Sequence, residues 1–188
     1  AENGCDGVEI NAGQHSLVRQ FLSGLTNHRG DEWGQDRLRF AREVIAAVRA
    51  GVGPGKVVGL RLSCDELAPW AGITPEMATG IAAELSGAGI DYLVVVRGSI
   101  YSAEKTRPDF HEPTGFNIET CRSVKAAVSV PVFLQGSVVD PGQAEWAIGE
   151  GVCDAVEMTR AQLADADLVA KLQSNVPGAV RPCTRCNQ

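Results

Sequence analysis

The sequence predicts an α/β fold built on a parallel sheet. Three observations carry this reading. Five apolar runs of strand length alternate with five amphipathic stretches of helix length. The strand runs are apolar almost from end to end, as expected of strands covered on both faces. Connections leaving the strands are long and polar, whereas those returning from helix to strand are short.

The elements follow in order. Residues 5–11, CDGVEIN, read as a strand. In 36–51, Leu38, Ala41, Val44, Ile45 and Val48 recur at three- and four-residue steps, which predicts a helix. VVGLRLS at 57–63 is a strand. Residues 74–89 predict a helix with Thr74 as N-cap, Pro75 in the first turn and Gly87 or Gly89 as the stop. DYLVVVR (91–97) is a strand and NIETCRSVKAAV (117–128) a helix. VPVFLQG (130–136) is a strand and DPGQAEWAIGEG (140–151) a helix. CDAVEMT (153–159) and ADADLVAKLQS (164–174) complete the fifth strand–helix unit. The long post-strand loops are 12–35, 64–73 and 98–116. In (βα)8 barrels such loops build the active site, but an open doubly wound sheet shows the same asymmetry. Five units suffice for the open sheet and are three short of a barrel, which typically takes ~250 residues. No linker, repeat or low-complexity segment marks a domain boundary.

Bulk composition excludes several classes. The 188 residues are 44% hydrophobic and 21% charged, with net charge −6. That is globular composition for one domain and leaves no basic face for nucleic acid. No apolar run approaches the ~20 residues of a membrane span, and the opening residues do not read as a signal peptide. Cysteines stand at 5, 64, 121, 153, 183 and 186. Three of them lie in or beside apolar strand runs, which favours buried thiols in a reducing, cytoplasmic compartment over a disulfide framework. Cys183 and Cys186 alone have the C-x-x-C spacing of metal or cluster ligands.

Several strand ends carry candidate chemistry. GVGPGK (51–56) follows a helix and precedes a strand, the wrong order for a phosphate loop, and reads as a helix stop. LQGSVVDP (134–141) and EMTRAQLAD (157–165) each lead from a strand end into a helix. Gly136 allows close backbone approach, Ser137 offers a hydroxyl and Arg160 a cation, which together suit a phosphate. The alternative is a turn glycine and a surface arginine. Arg61 sits inside an apolar strand, where a charge is costly unless paired. It meets either an anionic ligand or an internal carboxylate such as Glu9. Asn11, Gln14, His15 and Ser16 lie just past the first strand and can hydrogen-bond a carbonyl. Tyr101, past the third strand, can donate a proton. Each of these, taken alone, is also an ordinary loop residue, and His28 and His111 read as such.

Taken together, these segments resemble the Old Yellow Enzyme-type flavin oxidoreductases. GCDGVEINAGQHSLVRQFLSGLTNHRGDEWG is similar to that family's fourth strand and following loop, with its pattern DGVEIH-x-x-H-x-Y-L, QFLSP and TN-x-R-x-D-x-[YW]-G-G. LRLS resembles the fifth strand, and QGSVVDP and EMTRAQLADADL the seventh and eighth strand ends. RPCTRCNQ resembles the start of C-x-x-C-N-x-x-C in the iron–sulfur branch, typified by 2,4-dienoyl-CoA reductase and trimethylamine dehydrogenase. Within that branch the chain is most similar to the mycofactocin-associated actinobacterial members. The resemblance runs through essentially the whole chain in order.

It implies a TIM (βα)8 barrel of which residues 1–180 are strands 4–8, a fragment of the FMN-binding barrel, with 181–188 opening a 4Fe–4S cysteine motif. It places Arg61 near the flavin, and Gly136, Ser137, Thr159 and Arg160 on the FMN phosphate. It makes Cys183 and Cys186 two of four cluster ligands. FAD and NAD(P)H are expected to bind in a C-terminal part beyond this chain. The family's substrate-polarising positions fall on Asn11 and Gln14. Its tyrosine falls on Ser16, which is no comparable acid, so Tyr101 becomes the expected proton donor and His15 the next. The loop WGQDRLRF is a few residues shorter than the family form. The implied reaction is hydride transfer between FMN and an activated C=C, of the enoate or 2,4-dienoyl-CoA type, with NAD(P)H as reductant. The alternatives are an amine dehydrogenase, for which Trp33 and Trp70 offer aromatic faces, and a non-catalytic module whose C-x-x-C pair holds a structural metal. The isolated fragment is expected to need the missing strands, or another copy, for stability and to be inactive alone.

Overall fold

A computed structural model of the chain describes residues 4–186. Five strands, β1 (Gly7–Ala12), β2 (Val57–Asp65), β3 (Tyr92–Arg97), β4 (Val132–Leu134) and β5 (Ala155–Val156), form one parallel sheet. Their spatial order is β1-β2-β3-β4-β5. This order agrees with the barrel that the family resemblance implies and excludes the open doubly wound sheet, the other architecture that fits the strand–helix pattern. A doubly wound sheet reverses its strand order at a switch point. Here every crossover steps to the next strand in the same direction, the winding of a barrel arc.

The helices are α1 (Leu17–Leu22), α2 (Glu32–Gln35), α3 (Arg39–Val52), α4 (Pro75–Ser86), α5 (Ala103–Thr106), α6 (Ile118–Ala127), α7 (Pro141–Gly149), α8 (Thr159–Ala164) and α9 (Leu168–Gln173). Local chemistry sets their ends. Thr74 accepts from the Met77 amide and Pro75 opens α4, while Asp140 accepts from the Gly142 amide and Pro141 opens α7. The helix expected over 164–174 is instead two short ones. Asp165 adopts an extended conformation after α8, and its Oδ1 accepts from the Asp167 amide at 3.1 Å. That carboxylate turn competes with helix and breaks it. Short helices α1, α2 and α5 occupy the long post-strand loops, where the sequence predicts only loop.

Strand alternation sorts the side chains. Val58, Leu60, Leu62, Cys64, Leu93, Val95, Val132 and Leu134 are fully buried and pack with Ile45, Ala78, Ala82, Leu85, Cys121 and Val124 from the helices. Successive residues point to opposite faces, so Glu9, Asn11, Gly59, Arg61, Tyr92, Val94 and Phe133 face the other way, toward the concave side of the arc. There Tyr92 and Phe133 stack with centroids 4.7 Å apart. Gly59 is required beneath them, because a Cβ would lie 2.1 Å from the Tyr92 ring. Burial pushes the Cys64 thiol above its ordinary pKa and the Cys121 thiol up to about 12, so both are inert core residues.

At the N-terminal rim one device recurs. Asp91, just before β3, accepts from the Val58 amide at 2.7 Å and from Arg49. Asp154, just before β5, accepts from the Val132 amide at 2.8 Å and from Lys125. Each carboxylate ties the first turn of one strand to its neighbour.

Candidate functional site

Most of the sequence-predicted groups lie toward the opposite rim, where the strands end, while Arg61 stands midway along β2. After β4 the chain turns through Gly136 and Ser137. Ser137 has φ 59°, an uncommon left-handed conformation for a serine. Its Oγ is buried and has no protein partner among the described residues. A buried hydroxyl without a partner is costly and calls for an explanation. Gly136 is pressed against the loop after β3, since a Cβ there would stand 3.0 Å from the Asn117 Cβ. Thr159 and Arg160 are the first two residues of α8, at the end of the neighbouring strand β5. The Arg160 guanidinium donates to the Pro108 carbonyl. A phosphate fits this turn, because the buried serine hydroxyl without a protein partner supplies a donor of the kind such an anion takes, and Arg160 follows the neighbouring strand.

Arg160 also lines a groove of about 500 Å³ with Arg181, Cys183, Arg185 and Cys186. The Arg185 amide donates to Cys183 Sγ at 3.4 Å, and Arg185 has φ 59°. This folds the C-x-x-C segment into a turn with an N–H on the first sulfur. Arg185 Nη1 donates to the Glu112 carbonyl at 2.6 Å, which docks the turn on the loop after β3. Two thiols fit a cluster as half of its ligand set. Among the described residues no group of three His, Cys, Asp or Glu is arranged to hold a metal.

The second cluster runs from the loop after β1 down the concave face of β1 and β2. Asn11 Oδ1 accepts from the Gly13 amide at 2.8 Å, and Gln14 donates to the Arg97 carbonyl. A Cβ on Gly13 would lie 3.0 Å from Asn11 Oδ1 and 3.4 Å from Arg61 Cγ, so Asn11, Gly13 and Arg61 converge. Arg61 pairs with Glu9 at 2.7 Å and also with Glu157. Burial opposes its charge, but Glu157 and Glu9 more than offset this and raise its pKa. Sequence reasoning named Glu9 and missed Glu157, which lies 96 residues away and reaches Arg61 only through the strand order. Tyr92 donates to Glu9 at 3.1 Å, and burial, with the nearby Glu9 carboxylate, pushes its pKa up to about 12.

The expected proton donors have different surroundings. His15 has φ 62° and borders a small hollow with Gln14, Ala103 and Thr106. Tyr101 is 64% exposed and meets the 70% exposed Trp70 edge to face, with centroids 6.2 Å apart. These two rings stand on the loops after β3 and β2. Trp33 is engaged elsewhere: it packs with Phe21 and Phe40, and the Arg39 guanidinium lies 4.5 Å over its ring. Ser16 accepts from the Arg19 amide as the N-cap of α1, a structural role.

Beneath these loops lies a buried polar network absent from the sequence-level expectations. Arg19, 4% exposed, pairs with the fully buried Glu66. Glu66 also accepts from Ser23 and from the Ile73 amide at 2.7 Å. It locks the loop after β1 to the loop after β2. Only a mid-loop pairing of charges signals it in the sequence, and nothing local distinguishes Glu66 from a solvated acid.

Residues 1–178 match the model of the NADH:flavin oxidoreductase / NADH oxidase family. The chain belongs to that family. Similar relatives include the N,N-dimethylglycine/sarcosine dehydrogenase of Chromohalobacter salexigens, 39% identical over 99% of this chain and 28% of that protein. Another is the multifunctional alkene reductase/demethylase of Caballeronia cordobensis, 33% identical over 97% of this chain and 27% of that protein. A solved 2-naphthoyl-CoA reductase bound to 2-naphthoyl-CoA superposes with TM-score 0.91 at 30% identity, covering all of this chain and 29% of its own. This chain thus spans a little under a third of the length of these proteins. Its sequential parallel arc is that part of a TIM barrel. No helix among the described residues is long and apolar enough to cross a membrane.

Proposed function

We propose that this chain forms the flavin-phosphate half of an FMN-dependent oxidoreductase that transfers hydride to or from a small organic substrate. The observation that carries the proposal is Ser137, a buried, unpartnered hydroxyl in a strained turn beside Gly136. When bound, FMN supplies the hydride acceptor and donor chemistry. Gly136, Ser137, Thr159 and Arg160 hold its phosphate. Arg61, held by Glu9 and Glu157, would be the cation near the flavin ring. Asn11 and Gln14 offer amide groups to a substrate carbonyl. Cys183 and Cys186 supply two ligands for a 4Fe–4S cluster, with FAD and NAD(P)H sites outside this chain.

For the substrate, two readings follow from different residues. Reduction of an activated C=C, of the enoate or dienoyl-CoA type, needs a proton donor. Tyr101 serves, with His15 next, since the Ser16 hydroxyl caps α1. Oxidation of a C–H beside nitrogen needs no such acid but recognises a cation. The exposed Trp70–Tyr101 pair favours it, because an ammonium over such faces gains cation–π attraction. The likeness to a dimethylglycine/sarcosine dehydrogenase points the same way, and we adopt methylated amines as the leading substrate class.

Anaerobic spectra of the full-length protein test both levels. Added dimethylglycine is expected to bleach the oxidised flavin bands directly. An enoyl thioester instead is expected to restore them after reduction by NAD(P)H. Absence of flavin bands with added FMN would overturn the oxidoreductase reading itself.

A further inference from the structure

Asn117 lies at the N-terminus of α6, a position where asparagine ordinarily caps the helix. It makes no such bond. Its side chain turns away instead, and Nδ2 donates to the Gln135 carbonyl at 2.6 Å. Gln135 directly precedes the Gly136–Ser137 turn. Two residues before Asn117, the Gly115 amide donates to the Gly136 carbonyl at 2.8 Å. One short loop therefore holds two successive carbonyls of the turn.

The consequence follows from the planar trans peptide, in which the N–H points opposite to its own C=O. Holding the carbonyls of Gln135 and Gly136 toward the 115–117 loop aims the amides of Gly136 and Ser137 away from it. Neither amide donates to a protein group among the described residues. The arrangement also carries a local cost. Asn117 is fully buried, and its Oδ1 has no partner among the described residues. Gly115 has φ 70° and is braced by Gln143, whose Nε2 donates to the Thr114 carbonyl at 3.2 Å. A residue selected only to start α6 would cap it. This one is spent on the strand end across from it.

We infer that Asn117 is a positioning residue for the phosphate-binding turn, acting through the Gln135 carbonyl to aim the Gly136 and Ser137 amides at an anion. The inference rests on the flavin reading above. It also links the loop bearing Tyr101 to the cofactor turn, since both belong to the connection that ends at Asn117.

The test compares FMN with riboflavin, which lacks the phosphate. Flavin-free full-length protein is titrated with each, reading flavin fluorescence, for wild type, Asn117→Ala and the near-isosteric Asn117→Asp. Loss of one buried hydrogen bond is expected to weaken FMN binding about tenfold in Asn117→Ala. Asn117→Asp, which sets a carboxylate against a carbonyl, is expected to weaken it further. Riboflavin affinity should be unchanged in both, and this also reports that the pocket has folded. Equal FMN affinity in all three proteins, or an equal loss for FMN and riboflavin, would overturn the positioning role. A wild type that takes up neither flavin would sink the flavin reading and this inference with it.

Discussion

Ser137 separates ligand binding from folding at the level of one atom. Its buried hydroxyl has no protein partner among the described residues, so Ser137→Ala should leave the melting temperature measured without added flavin unchanged or slightly raised. The same change should weaken FMN about tenfold, the worth of one hydrogen bond to a charged group. Paired melting and flavin titration of the full-length protein check both halves. Glu66 behaves oppositely. Glu66→Ala strands Arg19 in the interior and removes the acceptor for Ser23 and Ile73, so it should cost about 3–5 kcal/mol of stability. Glu66→Gln should cost less, because an amide oxygen still accepts from Ile73; denaturant melts measure both. Gly136, Ser137 and Arg160 are visible as candidates in the sequence because each stands in a short strand-to-helix stretch. Asn117 and Glu157 are not. Their partners, Gln135 and Arg61, are set by how the loop after β3 folds back and by which strands stand beside each other.

At the scale of elements, the strand–helix alternation is legible throughout, because each amphipathic run buries one face whatever its partners. The ends of elements are less so. The strand expected over 153–159 shortens to Ala155–Val156, which pairs only with Phe133 and Leu134 of the three-residue β4. The break between α8 and α9 depends on Asp165, whose carboxylate also accepts from Lys171 and from the Arg181 amide at 2.7 Å. Another carboxylate yields a pH prediction. The Arg49 guanidinium beside Asp91, together with the Val58 amide, holds its pKa below the ordinary value. A depressed carboxylate pKa contributes stability above the unfolded value near ~4, and that contribution is lost as pH falls through the folded pKa. Asp91→Asn should therefore lower stability at pH 7 and leave it nearly unchanged near pH 2. Thermal melts across that range would show the two curves converge toward acid. A constant gap at all pH values would mean that the Asp91 charge contributes nothing.

For the whole molecule, the strand–helix pattern alone leaves two architectures, the family resemblance implies the barrel, and the strand order bears it out. Winding direction is a relation among elements, and no single segment encodes it. The selected arc has a physical consequence. Its strands β1 and β5 each leave one edge without a ladder partner among the described residues, and such edges template association. Its concave face carries the Tyr92–Phe133 stack beside the Glu9–Arg61–Glu157 group, a mixture suited to a closed barrel interior. The helix-side core is complete, so the isolated 188-residue chain should collapse with helices in place but without a protected inner face. Size-exclusion chromatography with light scattering should find it self-associated, and its denaturant unfolding should be broad. A chain extended to the full length of its relatives should instead melt cooperatively. A monodisperse monomer of the isolated chain with a sharp transition would show that the helix-side core alone specifies the arc. The polar inner group would then be a solvated surface, and Arg61 would be free to meet ligands from the open side.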